Sequence, residues 1–312
     1  MKTFDFYNPS THKGNLPVRV LPYNFIDWFE NVNPEFKKDS KSEIDYNGLK
    51  AGLIYHIKSS RITDVACINR NRAIELNENY NQYLWSICYA LLVLFDESIH
   101  KPITAGTYTG KFDLTNQFVK KATDLFSSGI NLLNSYQEKV FFDLPNPEKY
   151  SEIDQYYIER TNGIYTAGMT FILLHEFAHQ FYGHLDYIPT SNEAKKDEYS
   201  ADDFAIDKIS FNFDSSKGTT YKFGIIATLC SFIFLDHSLS GGDNHPDIDE
   251  RLTSAMEKLQ LNELDNMWGF ASLAFKLWAN HYKIELDLPS IVDNYKQLYY
   301  LTVEELRKTK SI

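Results

Sequence analysis

The sequence predicts a helix-rich α+β fold with a small N-terminal β-sheet. Three observations carry that prediction. Long apolar or amphipathic segments with helical spacing dominate from Tyr80 onward, and a short β-patterned stretch at 62–77 precedes them. The chain has 312 residues, 43% of them hydrophobic and 15% aromatic, which is enough for a large core.

Residues 1–60 carry Pro9, Pro17, Pro22 and Pro34 and a polar run at 33–48. They read as an irregular segment packed on the core, with one short helix near 24–31. Strand character begins at Ile62 with ITDVACI, breaks at NRNR (69–72) and resumes as AIELN, the pattern of a hairpin or of two adjacent strands. Residues 80–98 are apolar nearly all round and suit a central helix. The turn formers of 100–110 suggest a loop or a short hairpin. Phe118, Ala122, Leu125, Phe126, Ile130 and Leu133 recur at helical spacing within 114–133, and Pro145 and Pro147 then mark a break.

A helix over 151–162 leads through Gly163 into a longer one ending near His184. Another helix spans 192–209, and 221–235 is a second apolar helix. Gly241, Gly242 and Asn244 open a loop, after which Pro246 can start a helix, because proline at a first helical position loses no hydrogen bond. The tail reads as helices at 262–284 and 290–308. No linker divides residues 61–312, which are expected to form one domain ending in C-terminal helices at 262–308.

A formal charge of −11 and a pI near 5.3 argue against a nucleic-acid or anionic-membrane surface. The apolar runs 84–95 and 223–235 fall short of the ~20 residues that span a bilayer. The first residues show no apolar signal region, so a cytoplasmic location is expected. Cys67, Cys88 and Cys230 sit singly in apolar surroundings and read as reduced core residues.

Chemistry concentrates in FILLHEFAHQFYGH at 171–184. On a helix, positions i and i+4 share a face, so His175 and His179 can offer imidazole nitrogens to one ion, with Glu176 beside it. Neutral imidazoles hold Zn²⁺ without cancelling its charge, and Glu176 can then take a proton from water as a base rather than serve as a ligand. Such a motif arises by chance in roughly 1% of chains this long, so its context must decide.

A catalytic zinc needs a third protein ligand, and Glu198, after eighteen intervening residues, leaves room for a helix to end and an antiparallel one to return. Asp202 shares its face four residues on and suits a carboxylate that orients His175 or His179. The plain alternative is a solvated acidic helix face. Asp197 and Asp203 point about 100° away from that face. His184 is offset from the ligand face and reads as a packing or capping residue. An oxyanion donor is also required, for which His245, before Pro246, is the candidate. Arg251 is either a helper there or a surface or structural ion-pair partner. A tyrosine donor stays open, Tyr199 being nearest in sequence to a ligand. His12, His56, His100, His237 and His281 have no ligand spacing.

His175-Glu176-x-x-His179 with Glu198 in E-Y-S-A-D resembles the gluzincin metallopeptidases. Within them, the close following of the histidine motif by DEYSADDFA, and the upstream LWSICYALLVLFDE, resemble the phage-exclusion Lit-type peptidases over residues 40–260. His245-Pro246 with Arg251 is similar to a later element of the HtpX-type membrane metallopeptidases, which carry spanning helices that this sequence lacks. The resemblance implies a zincin-like fold and a cytosolic endopeptidase with one Zn²⁺ on His175, His179 and Glu198. It also implies elongation factor Tu as the protein substrate, a role in phage defence, and a phage-derived activating peptide or protein.

Substrate is expected to lie along an edge strand of the 62–77 region. Two other readings remain: a non-hydrolytic zinc-binding sensor or interaction protein, and a regulatory peptidase that cleaves a repressor.

Overall fold

The computed structural model describes residues 2–36, 54–56, 65–68, 73–135, 138–289 and 293–309. The expected strand residues 62–64, the break at 69–72, most of the polar run at 33–48 and the expected helix start at 290–292 lie outside the described residues.

Three helices buried along most of their length form the centre, because a helix whose apolar residues reach nearly all round must be covered on most sides. They are α2 (Glu78–Phe95), α4 (Gln155–Phe181) and α6 (Gly218–Ile233), and each contacts the other two. Asn77 starts α2 by accepting a hydrogen bond from the Asn79 amide. The approach of α4 to α6 depends on missing side chains: a Cβ on Gly224 would stand 2.5 Å from Ala167 Cβ and 2.7 Å from the Gly168 nitrogen.

Around this centre, α1 (Pro22–Glu30) lies on α4, α3 (Gln117–Leu132) on α2 and α5 (Ser191–Ser210) on α4. Helix α7 (Ile248–Lys258) spans α6 and α5, and α8 (Asn266–His281) packs on α6, α2 and α9 (Tyr295–Thr309). One buried cluster runs through all of these layers.

Two small sheets flank the helices. Strand β1 (Thr3–Asp5) pairs antiparallel with β5 (Lys149–Ser151), Phe4 opposite Tyr150. The second sheet has the order β2 (Ile54–His56), β4 (Ile74–Asn77), β3 (Ala66–Ile68). Strand β2 runs parallel to β4 and β3 antiparallel to it, Cys67 opposite Glu75, so β3 is an edge among the described residues and lies against α4.

The helix-rich α+β reading therefore holds at that level, and the expected helices are present with ends shifted by a few residues. Three expectations are corrected. Residues 1–60 are not wholly irregular: they contribute β1 and β2, three-residue strands too short to leave a pattern. Residues 100–110 begin helical, because α2 continues through a wide turn at Asp96–His100 into a helix at Lys101–Thr104. Pro102 falls in the first turn of that helix, where it is tolerated, and Lys101 pairs with Asp96 and Glu97. The helices expected on either side of Gly163 are one continuous α4, Gly163 admitting Thr220, whose Cγ2 would lie 3.2 Å from an added Cβ.

Among the described residues, no helix is long and apolar enough to cross a membrane. Cys67, Cys88 and Cys230 are free thiols; Cys88 and Cys230 are buried and Cys67 is half-buried.

Candidate metal centre

Helix α4 fixes His175 and His179 one turn apart near its C-terminal end, and α5 returns antiparallel to face them. The return is set by a capping box: the Thr190 hydroxyl accepts from the Glu193 amide while the Glu193 carboxylate takes the Thr190 N–H at 2.8 Å. Ala201, Ala205 and Ile209 bury the inner face of α5, and Glu198 and Asp202 on that face meet the histidines.

The result is a triangle of ligand residues in which Glu198 turns one oxygen to each histidine. His175 Nε2 lies 3.1 Å from His179 Nε2 and 3.5 Å from Glu198 Oε2, and His179 Nε2 lies 3.4 Å from Glu198 Oε1. These three residues can hold a metal ion. His12, His100, His237 and His281, expected to be ordinary, do not join the cluster among the described residues.

Asp202 is buried behind the triangle. Its Oδ1 accepts from His175 Nδ1 at 2.9 Å, and Arg251 from α7 grips both of its oxygens, each at 2.8 Å. Arg251 is buried, with Nη1 3.3 Å from Glu198 Oε2, so it is a structural ion-pair partner rather than a surface residue. The charges set the protonation states. Burial opposes charge on His175, yet Asp202 and Glu198 outweigh it and hold its pKa above the usual histidine value. Burial likewise disfavours the Glu198 and Asp202 anions, but the histidines and Arg251 prevail and both carboxyls sit below their usual range.

Glu176 occupies the other side of His175. Its Oε2 accepts a hydrogen bond from the Ile68 amide of β3 at 3.0 Å, and burial raises its pKa. It lines a cleft of about 400 Å³ with apolar walls from Phe171, Ile172, Phe232 and Leu239, and with Ala66 of the edge strand and Val65 just before it along one side.

His245 stands at the rim of this cleft with Nδ1 3.3 Å from Glu198 Oε2 and its side chain 58% exposed. Its loop turns tightly: the Gly241 amide meets Asp247 Oδ1 at 3.1 Å, and a Cβ on Gly241 would come within 2.2 Å of the His245 carbonyl oxygen. The Tyr199 hydroxyl turns instead to Glu250.

His184 touches the ligand candidate His179, and Asp197 touches His184 in turn. Helix α4 ends in a Schellman turn: Gly183 adopts φ +72°, its amide reaches the Gln180 carbonyl at 3.0 Å and the His184 amide reaches the His179 carbonyl at 2.9 Å. This folds His184 back so that its Nδ1 lies 3.1 Å from His179 Nδ1, while its Nε2 lies 3.4 Å from Asp197 Oδ1. Burial lowers the His184 pKa. The glycine before His184 was the available signal, since a Gly just past a helix marks such a reversal. Asp203 pairs with Lys258 and stays outside the site, as its position on the helix implied.

A family model described as Peptidase U49 matches residues 74–271, from β4 into α8, and so spans every ligand candidate and its carboxylate partners. No curated protein and no solved structure matches the chain.

Proposed function

The chain belongs to the Peptidase U49 family, and from that premise we propose that it is a zinc-dependent endopeptidase cutting a specific intracellular protein. The observation that carries this reading is the set of three ligand residues, whose nearest donor atoms lie pairwise 3.1, 3.4 and 3.5 Å apart, with one Glu198 oxygen toward each histidine. A tetrahedral zinc with ligands at about 2.0–2.1 Å spaces neighbouring donors roughly 3.3 Å apart. Two imidazoles and one carboxylate are also the donor set that suits this ion, with His175 pinned from behind by Asp202.

Zinc held by His175, His179 and Glu198 would supply Lewis acidity toward water and toward the scissile carbonyl. Glu176 takes the proton of the attacking water and passes it to the leaving amide nitrogen as the C–N bond breaks. Burial raises its pKa in the metal-free protein, which favours its holding a proton between the two transfers. The Ile68 amide fixes the carboxylate's rotation. His245, exposed at the cleft rim, is the donor to the oxyanion. The edge of β3 beside the cleft suits an extended peptide added as a strand.

The Lit-type resemblance supports a gluzincin assignment, a cytoplasmic setting in phage defence, elongation factor Tu as the substrate and a phage-derived peptide or protein as the activator. The test expresses wild type and Glu176→Gln in host cells, with and without phage challenge, and maps new protein N-termini. Wild type alone should cut, and purified Glu176→Gln should keep its zinc while losing about 10²–10⁴-fold in rate. A metal-free wild type, or an equally active Glu176→Gln, would overturn the reading.

A further inference from the structure

We infer that His184, held by Asp197, is the positioning residue for the ligand His179, fixing its tautomer through a histidine-to-histidine hydrogen bond. The inference rests on His179 being a metal ligand, as proposed above. A ligating imidazole must present a bare nitrogen to the metal, so its other nitrogen carries the hydrogen and needs an acceptor. For His175 that acceptor is Asp202. Among the described residues no carboxylate stands at His179 Nδ1; what stands there, at 3.1 Å, is His184 Nδ1.

A histidine accepts only if its hydrogen is on the other nitrogen, and the surroundings of His184 Nε2 dictate that. Asp197 Oδ1 lies 3.4 Å from it, and an ionised carboxylate only accepts. Ser200 Oγ also lies 3.4 Å from Nε2, and the Ser200 hydrogen goes to the Asp197 carbonyl at 2.9 Å, leaving its oxygen as another acceptor. With acceptors alone on that side among the described residues, Nε2 carries the hydrogen and Nδ1 offers its lone pair. His179 Nδ1–H donates into it, and His179 Nε2 is left bare, facing His175 Nε2 and Glu198. The Tyr187 hydroxyl donates to the second oxygen of Asp197, so donation from His179 through His184 and donation from Tyr187 converge on that carboxylate. The Schellman turn at Gly183 puts His184 in place, and its side chain is 10% exposed.

The experiment measures zinc affinity of the purified full-length chain by competition with a chromophoric chelator. It compares wild type, His184→Leu, His184→Asn and Asp197→Asn, with thermal unfolding of each metal-free protein alongside. His184→Leu removes the acceptor and should weaken zinc binding about 10–100-fold, the usual effect of losing a ligand's hydrogen-bond partner. His184→Asn keeps an acceptor near Nδ1 and should recover most of it. Asp197→Asn can donate to Nε2 and turn the His184 hydrogen toward His179, so it should weaken binding as His184→Leu does.

Nitrogen-15 shifts of the zinc-loaded wild type give a readout independent of any variant's folding: His184 should be protonated at Nε2 and His179 at Nδ1. Zinc affinity of His184→Leu within about twofold of wild type, or His184 protonated at Nδ1, overturns this inference alone. Wild type that takes up no zinc overturns the endopeptidase reading and this inference with it.

Discussion

Asp202 joins His175 to Arg251: one carboxylate oxygen accepts from His175 Nδ1 at 2.9 Å and from Arg251 Nη2 at 2.8 Å. Three helices, α4, α5 and α7, meet in that carboxylate.

Arg251→Leu should therefore be strongly destabilising. The arginine and Asp202 are both buried, and removing the cation leaves the Asp202 charge with His175 alone to balance it. Breaking a buried pair from one side costs about 3–5 kcal/mol, whereas removing both charges is far milder. Denaturant unfolding should show that loss for Arg251→Leu and recovery of part of it in Arg251→Leu with Asp202→Leu. Equal stabilities for the two variants would show that the pair does not act as a unit.

How far the sequence disclosed this site follows from which forces are local. The spacing of His175, His179, Glu198 and Asp202 is a helix-face property, so periodicity alone brings them to one pair of helices. The partners of those residues are not local. Arg251 reaches Asp202 across 49 positions of chain, and the Ile68 amide reaches Glu176 across 108, so neither leaves a periodic trace. The contacts of His184 and Asp197 are no more legible: the Schellman turn after Phe181 departs from ideal helix geometry and sets His184 beside His179, and Asp197 meets His184 from α5. The same reasoning covers the fold. Long helices carry their own pattern, while the three-residue strands β1, β2 and β5 exist only through partners distant in sequence.

Ile68→Pro tests the amide that holds Glu176. Strand β3 is an edge among the described residues and the Ile68 N–H points to the carboxylate, so proline removes that one bond at a position where a strand tolerates it. A hydrogen bond to a charged group contributes about 1.5–3 kcal/mol, which as lost orientation of the base corresponds to roughly a tenfold or greater fall in kcat. KM should change little in a cleavage assay on the substrate found by N-terminus mapping. An unchanged kcat would show that Glu176 is oriented by other contacts.

Gly224→Ala should loosen the helix that carries the site. The added methyl would meet Ala167 Cβ at 2.5 Å and the Gly168 backbone nitrogen at 2.7 Å, and backbone cannot swing aside as a side chain can. Overpacking of this kind costs about 1–3 kcal/mol, read as a lower unfolding midpoint. Because α4 bears His175 and His179, zinc affinity should fall together with stability. A midpoint equal to wild type would mean that α4 and α6 shift apart freely.

Metal binding should strengthen as pH rises, and the direction follows from His175. In the metal-free protein, Asp202 and Glu198 raise its pKa above the unfolded value, so its charged form stabilises the fold. That contribution is complete below the unfolded value of about 6.5 and is lost as pH rises through the higher folded pKa. Glu198 and Asp202 behave oppositely: their depressed pKa values stabilise the protein above about pH 4, and this is lost as pH falls through the folded values. A metal needs the neutral imidazole, so it must expel the proton that His175 holds. The rise in unfolding temperature on adding zinc should thus be small near about pH 6 and larger near about pH 8. Calorimetry in buffers of different ionisation enthalpy should register proton release at the lower pH. Zinc uptake that is independent of pH, with no proton released, would show that His175 is not a ligand.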